Sequence, residues 1–123
     1  MKKPGPDLAF ENWEKIRFFP NYWVSSFGRV CRYDKVNDRL KMLKPTDKRG
    51  YWYVTLYNKS GRKARPIHRL VALSFIRRER DATTVNHLDG NRHNNAVDNL
   101  EWTTRSGNVK HAWQTGLHAR KHK

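Results

Sequence analysis

Residues 51–57 read Tyr-Trp-Tyr-Val-Thr-Leu-Tyr, and no other stretch restricts the fold of this chain so tightly. Side chains alternate along an extended backbone, so Tyr51, Tyr53, Thr55 and Tyr57 share one face while Trp52, Val54 and Leu56 share the other. Aromatic and β-branched residues at that period specify a strand, and its wholly apolar face has to be covered. "NKSG" then has the length and composition of a hairpin loop, and "RKARPI" returns as the partner strand. Pro66 cannot donate to a ladder, which puts the far end of that strand at a sheet edge. The tyrosine-bearing face admits two readings: a surface for a nucleic acid backbone or groove, or packing on neighbouring strands.

The flanking sequence supplies what covers that face. Upstream, "WEKIRFFPNYWVSSFGRVCRY" alternates short apolar runs with turn formers, giving expected strands near 22–25 and 29–33 joined by a tight turn at Gly28. "DKVNDRLKMLKP" reads as a loop and a further short strand ending at Pro45. Downstream, "HRLVALSFIRRER" is expected to form a helix with Leu70, Val71, Leu73, Phe75 and Ile76 around most of its surface, buried between the sheet and the segment C-terminal to it. His68 at its start reads as a cap or a hydrogen-bonded structural histidine in preference to a catalytic one. Beyond Asp81, strands around 84–87 and 100–103 flank an Asn-rich loop, and a helix from about Ser106 to Gln114 stops before Gly116. Residues 1–10 and 119–123 read as tails.

With 123 residues and 37% apolar content, the chain has room for one domain or two very small subdomains with thin cores. Its net charge of +15 attracts polyanions and makes nucleic acid the leading partner, with a merely basic surface as the plain alternative. The charge is concentrated: residues 35–80 hold fourteen Lys and Arg against Asp38, Asp47 and Glu79, a net of +11. Cys31 is the sole cysteine, which excludes an intrachain disulfide and any Cys-based zinc site and fits a reducing compartment. No apolar run approaches the roughly 18 residues of a membrane span, and none comes after the first lysines as in a secretory signal. No membrane association and a cytoplasmic location are therefore expected.

"TTVNHLDGNRHNNAVDNLEW" at 83–102 gathers histidines, asparagines and aspartates among few apolar residues. A calcium loop starting at Asp89 would need Gly sixth and Glu twelfth, where Asn94 and Leu100 stand. His87 and His93 alone do not make a structural zinc site. No serine or cysteine nucleophile has a plausible base beside it. What remains is a strand ending at His87, a loop, a strand beginning near Leu100 and a helix carrying Asn108 and His111. Asn91, Asn94, Asn95 and Asp98 read as loop scaffolding through Asx turns.

In order and spacing, "VNHLDGNRHNNAVDNLEW" together with "SGNVKHAWQTG" resembles the HNH endonuclease family, specifically its small phage-type and intron-encoded homing enzymes. "WEKIRFFPNYWVSSFGRVCR" is similar to the nuclease-associated modular domain found before such nucleases, and "IHRLVALSF" to the joining helix, so the resemblance spans about 13–117. It implies an α+β chain: a basic N-terminal antiparallel β-sheet region over 11–66 that binds DNA, then a linking helix and a ββα-metal unit over 67–118. It further implies hydrolysis of DNA phosphodiesters, with His87 as the general base and Asn99 orienting it. Asn86 and Asn108 correspond to the metal ligands, and hard oxygen donors suit Mg²⁺ or Mn²⁺. The family often has aspartate where Asn86 stands and histidine where Asn108 stands, so binding of the ion is expected to need DNA. Asp89 reads as a turn former or an accessory charge, and His111 as a helix-packing residue or a phosphate or metal contact.

Three functions are weighed against each other: a metal-dependent endonuclease on double-stranded DNA, a catalytically lapsed basic module of the same fold, and an RNA-binding protein stacking bases on the tyrosine strand. A monomer or weak dimer is expected. The expected phosphate contacts are Lys48, Arg49, Lys59, Arg62, Lys63 and Arg65, with Arg29 as a weaker choice.

Overall fold

The computed structural model describes residues 11–78 and 80–104. The order of elements is β1 (Trp13–Lys15), β2 (Tyr22–Ser25), β3 (Val30–Asp34), β4 (Arg39–Met42), β5 (Thr46–Lys48), β6 (Tyr51–Asn58), β7 (Gly61–Pro66), α1 (Ile67–Phe75), β8 (Thr84–His87) and β9 (Leu100–Thr103). They make three antiparallel sheets in sequential order, β1–β4, β5–β7 and β8–β9. The N-terminal region thus holds two sheets where one was expected, with Pro45 in the connection between them.

The alternation at 51–57 folds as read. Val54 and Leu56 are buried, and β6 pairs with β7 through a two-residue turn that sets Asn58 opposite Gly61. Pro66 ends β7, which is an edge strand. The same period organises β2, all of which is buried. Tyr22 and Val24 face the main core, while Trp23 turns to the other side and joins Trp13 and Cys31 in a small second cluster. Burial pushes the Cys31 thiol up to about 11.

One core serves all three sheets. Ile16, Phe19, Tyr22, Val24 and Val30 from the first, Val54 and Leu56 from the second, and Leu100 from the third meet Ile67, Leu70 and Val71 of α1. The helix differs from its sequence reading in two ways. It ends at Phe75, because Ile76 is extended and its carbonyl accepts from Trp102 Nε1 at 3.1 Å, so Arg77 and Arg78 lie outside it. Leu73 is 56% exposed rather than buried, since the shared core needs only one stripe of the helix. Pro66 stands at the N-cap with no side-chain cap bond, so His68 is no cap. Among the described residues no helix is long and apolar enough to cross a membrane.

A core with walls from every sheet should fail as a unit. Leu56→Ala, at a fully buried position, is expected to cost about 2–5 kcal/mol. Hydrogen exchange is the check: the slowest amides of β2 and of β8 should accelerate by the same factor.

Candidate functional site

β8 and β9 pair with Asn86 opposite Glu101 and His87 opposite Leu100, and residues 88–99 cross between them. Asp89 organises that crossing. Its carboxylate accepts from the Asn91 backbone at 2.7 Å and from Asn94 Nδ2 and Asn99 Nδ2, each at 2.9 Å. These hydrogen bonds, Asn94's foremost, hold its pKa below the ordinary carboxylate range. Asp89 is therefore the fixed point of the turn.

His87 ends β8 with 5% of its surface exposed, and its Nε2 lies 2.8 Å from Asn95 Oδ1. An amide oxygen only accepts, so Nε2 carries the proton and Nδ1 keeps the lone pair. Burial, the largest influence, pulls the His87 pKa below the ordinary histidine value and so favours the neutral, proton-accepting ring, while the Asn95 bond and the charge of Asp89 act the other way. The residue bonded to the ring is Asn95, itself buried, which sequence reading assigned to scaffolding. Asn99, the expected orienting residue, has its amide elsewhere: Nδ2 donates to Asp89 Oδ1 and to the Asn94 carbonyl, and Oδ1 accepts from the Asp89 backbone at 3.0 Å. It holds the loop that carries Asn95.

Around His87 the second sheet, the start of α1 and the third sheet converge. The His68 ring at the start of α1 is centred 5.0 Å from that of His87, and Tyr51 at the start of β6 lies 5.1 Å from His68 and 6.0 Å from His87. Arg92 covers Tyr51 at 4.8 Å and donates to the Arg49 carbonyl at 3.2 Å, tying the Asn-rich loop to the second sheet. His93 stacks on Trp52 at 4.5 Å with its Nε2 3.4 Å from Asp47. His68 Nδ1 is buried without a hydrogen-bond partner, so His68 is not the satisfied structural histidine its position implied.

Asn86 is also buried, and its Nδ2 donates to Glu101 Oε1 at 3.1 Å. That bond orients the side chain so that Oδ1, the donor a hard cation takes, points away from Glu101. The pair fits a divalent ion better than Asn86 alone, because a carboxylate next to the ligand supplies the charge that the amide lacks. Glu101 was missed in the sequence, since its proximity is set by cross-strand register. Among the described residues no three or more His, Cys, Asp or Glu side chains cluster to hold a metal.

Comparison with known proteins places this geometry. Residues 11–57 match the NUMOD4 motif, and residues 65–110 match the HNH endonuclease family. The second segment, residues 65–110, is thus similar to the HNH endonucleases. An uncharacterized HNH endonuclease of Acanthamoeba polyphaga mimivirus is 40% identical over 105 residues, covering 85% of this chain and 31% of the relative. The DNA endonuclease I-HmuI of Bacillus phage SP01 is 34% identical over 85% of this chain and 59% of its own. The solved structure of DNA binding and cleavage by that HNH homing endonuclease superposes with a TM-score of 0.73 over the same shares. The chain thus spans about a third to three fifths of these relatives' lengths.

The HNH match runs to residue 110 and includes Asn108, but Asn108 and His111 lie outside the described residues, as does the expected helix from 106 to 114. Register divides the expected phosphate contacts. Lys48 pairs with Tyr51 and Arg62 with Tyr57, on the tyrosine face; Lys63 pairs with Leu56 and Arg65 with Val54, at the rim of the opposite one. Arg49 and Lys59 sit in the turns at either end of β6. Arg29 has another partner: Nε donates to buried Glu11 at 2.8 Å and Nη2 to its second oxygen, a fork that holds the Glu11 pKa low. Its charge is compensated inside the N-terminal sheet, 18 residues away in sequence. Of the tyrosines, Tyr53 lies under Lys48 Nζ at 5.2 Å and Tyr51 under Arg92, leaving Tyr57 open at 56% exposure.

The histidine cluster gives the fold an acid limit. Burial, then the neighbouring His87 and Arg69, pull the His68 pKa down to about 4, against about 6.5 in an unfolded chain. The unfolded state binds more protons between those values, so this contribution is complete above about pH 6.5 and is lost as pH falls toward 4. The urea midpoint should fall between about pH 7 and 5, and fall less in His68→Gln.

Proposed function

We propose that this chain is a metal-dependent HNH endonuclease that hydrolyses phosphodiester bonds of double-stranded DNA. The observation that carries the reading is His87 at the end of β8, neutral, with Nε2–H on Asn95 and Nδ1 left to accept a proton, one residue from an Asn86 held by Glu101. A fixed imidazole of that tautomer takes the proton of an attacking water at Nδ1. Asn86, with Asn108 from beyond the described residues, would hold Mg²⁺ or Mn²⁺. The ion, when bound, supplies charge stabilisation at the scissile phosphate and the departing 3′ oxygen.

Lys48 on β5, Arg62 on β7, and Arg49 and Lys59 in the turns at either end of β6 flank the strand whose first residue, Tyr51, abuts the His87 cluster. They are the proposed backbone contacts, with Lys63 and Arg65 at the rim. With two of three tyrosines under cations, a base-stacking RNA platform has little support. One ββα unit provides one active site, so a monomer nicks a single strand. The work is assigned to the cytoplasm of the cell whose DNA it meets.

The competing reading, a lapsed DNA-binding module, draws on the neutral Asn86 alone. Supercoiled plasmid separates the two. Wild type should nick it with Mg²⁺ or Mn²⁺ and not with EDTA, and His87→Ala should lose at least about a hundredfold while still shifting DNA on a gel. Wild type that shifts plasmid but leaves it intact in every metal condition is the lapsed module. Asn86→Asp should lower the metal concentration for half-maximal nicking, because a second carboxylate beside Glu101 gains more from the cation.

A further inference from the structure

The N-terminal sheet does more than lie beside the HNH unit: its β2–β3 turn reaches the residue that holds His87. That turn is itself rigid. Ser25 is fully buried; its Oγ accepts from the Phe27 and Arg29 backbones at 3.2 and 3.0 Å, and its carbonyl accepts from Gly28 at 2.9 Å. Ser26 exchanges bonds with Asn12, donating from its backbone to the Asn12 carbonyl at 2.8 Å and accepting the Asn12 N–H on Oγ at 2.9 Å. Two contacts then cross to the Asn-rich loop. The Ser26 carbonyl accepts from the Val97 backbone at 2.8 Å. Gly28, at φ 89°, sits against Asn95 so closely that a Cβ there would lie 2.9 Å from Asn95 Cβ and 3.1 Å from its carbonyl oxygen.

We propose that the β2–β3 turn is a positioning element for the general base, with Ser26 and Gly28 fixing Asn95 and Asn95 fixing the tautomer and angle of His87. The side chain of Asn95 is buried between the turn and the ring, so a displacement of one is passed to the other. The HNH segment then depends on the NUMOD4 segment for its chemistry as well as for its grip on DNA. Gly28 is required twice over, by a positive φ and by the space Asn95 occupies. The turn's internal bonds give it the stiffness to act as a stop.

The inference rests on His87 being the base, and its test has a readout independent of cleavage. Two variants loosen the stop. Gly28→Ala inserts a methyl against Asn95. Val97→Pro deletes the N–H that reaches Ser26 and exchanges one apolar side chain for another at the edge of the core, at a site where Ala96 already has the extended backbone that a proline after it requires (φ −64°, ψ 142°). Gly61→Ala is the control, since Gly61 has a positive φ of 108° and nothing within 4 Å of an added Cβ. Nicking kinetics and ¹⁵N imidazole spectra at about pH 8, above the ordinary histidine pKa, are recorded for each full chain, with the His87 resonances assigned through His87→Gln.

Expected for both stop variants is a fall of about ten- to a hundredfold in kcat with KM unchanged, and a shift of His87 from a single Nε2–H form to a mixture of tautomers. Gly61→Ala should match wild type in both. The inference is overturned if folded Gly28→Ala keeps its kcat and a pure Nε2–H His87, or if Gly61→Ala shows the same losses. Should Gly28→Ala not fold, Val97→Pro decides on the same criteria. If wild type cuts nothing, the nuclease reading fails, while the spectra still decide whether the turn sets the ring.

Discussion

Everything in this molecule leans on one continuous apolar contact, the meeting of Val54 and Leu56 with Val24, Val30, Leu70, Val71 and Leu100. A chain this small and this charged lines one main core, which among the described residues its three sheets share around α1. That economy explains why His87 sits where it does. Tyr51 begins the strand that carries Val54 and Leu56, His68 begins the helix that carries Leu70 and Val71, and His87 ends the strand whose partner carries Leu100. The ring cluster is the polar rim of the core, and each of its members is placed by an apolar residue a few positions along the same element.

The excess of positive charge is managed by the same economy. Arg92 lies over Tyr51, Lys48 over Tyr53, Arg65 over Phe19, and Arg69 and Arg78 over Trp102. A cation over a ring face gains about 0.5–2 kcal/mol, depending on its desolvation, and its stem covers apolar surface. Basic side chains therefore act as lids on aromatic residues that a less charged protein would cover with aliphatic ones. Arg69, Arg78 and Arg92 also donate to the carbonyls of Thr83, Ala82 and Arg49, so the same cations cover rings and satisfy loop backbone.

Local periodicity made the central hairpin, its edge proline and the buried face of β6 legible in the sequence, because alternation needs no knowledge of partners. The order of residues in the motif likewise singled out the adjacent pair Asn86 and His87 without knowledge of their partners. What escaped was non-local. Whether Asn95 or Asn99 meets the ring depends on how Asp89 folds residues 88–99, and both amides have suitable chemistry. Glu101 comes to Asn86 only through strand register, and Arg29 finds Glu11 across a sheet. The helix end at Ile76 is imposed by Trp102, with no glycine or proline in the sequence to announce it. A run of neighbouring lysines and arginines also conceals that a strand sends them to opposite faces.

The two family segments meet in the β6–β7 hairpin: the NUMOD4 match stops at 57, the HNH match resumes at 65, and the turn at Lys59 and Ser60 lies between. The boundary between the two matched segments thus falls within one sheet, with β5 and all but the last residue of β6 in the first and only the last two residues of β7 in the second. A gene joined at that point brings together two halves that must complete each other's hydrogen-bond ladder and fill each other's core. Shuffling such modules is a matter of compatibility between partners, closer to matching subunits than to stringing beads, and only those pairs whose strands and apolar walls agree will survive it.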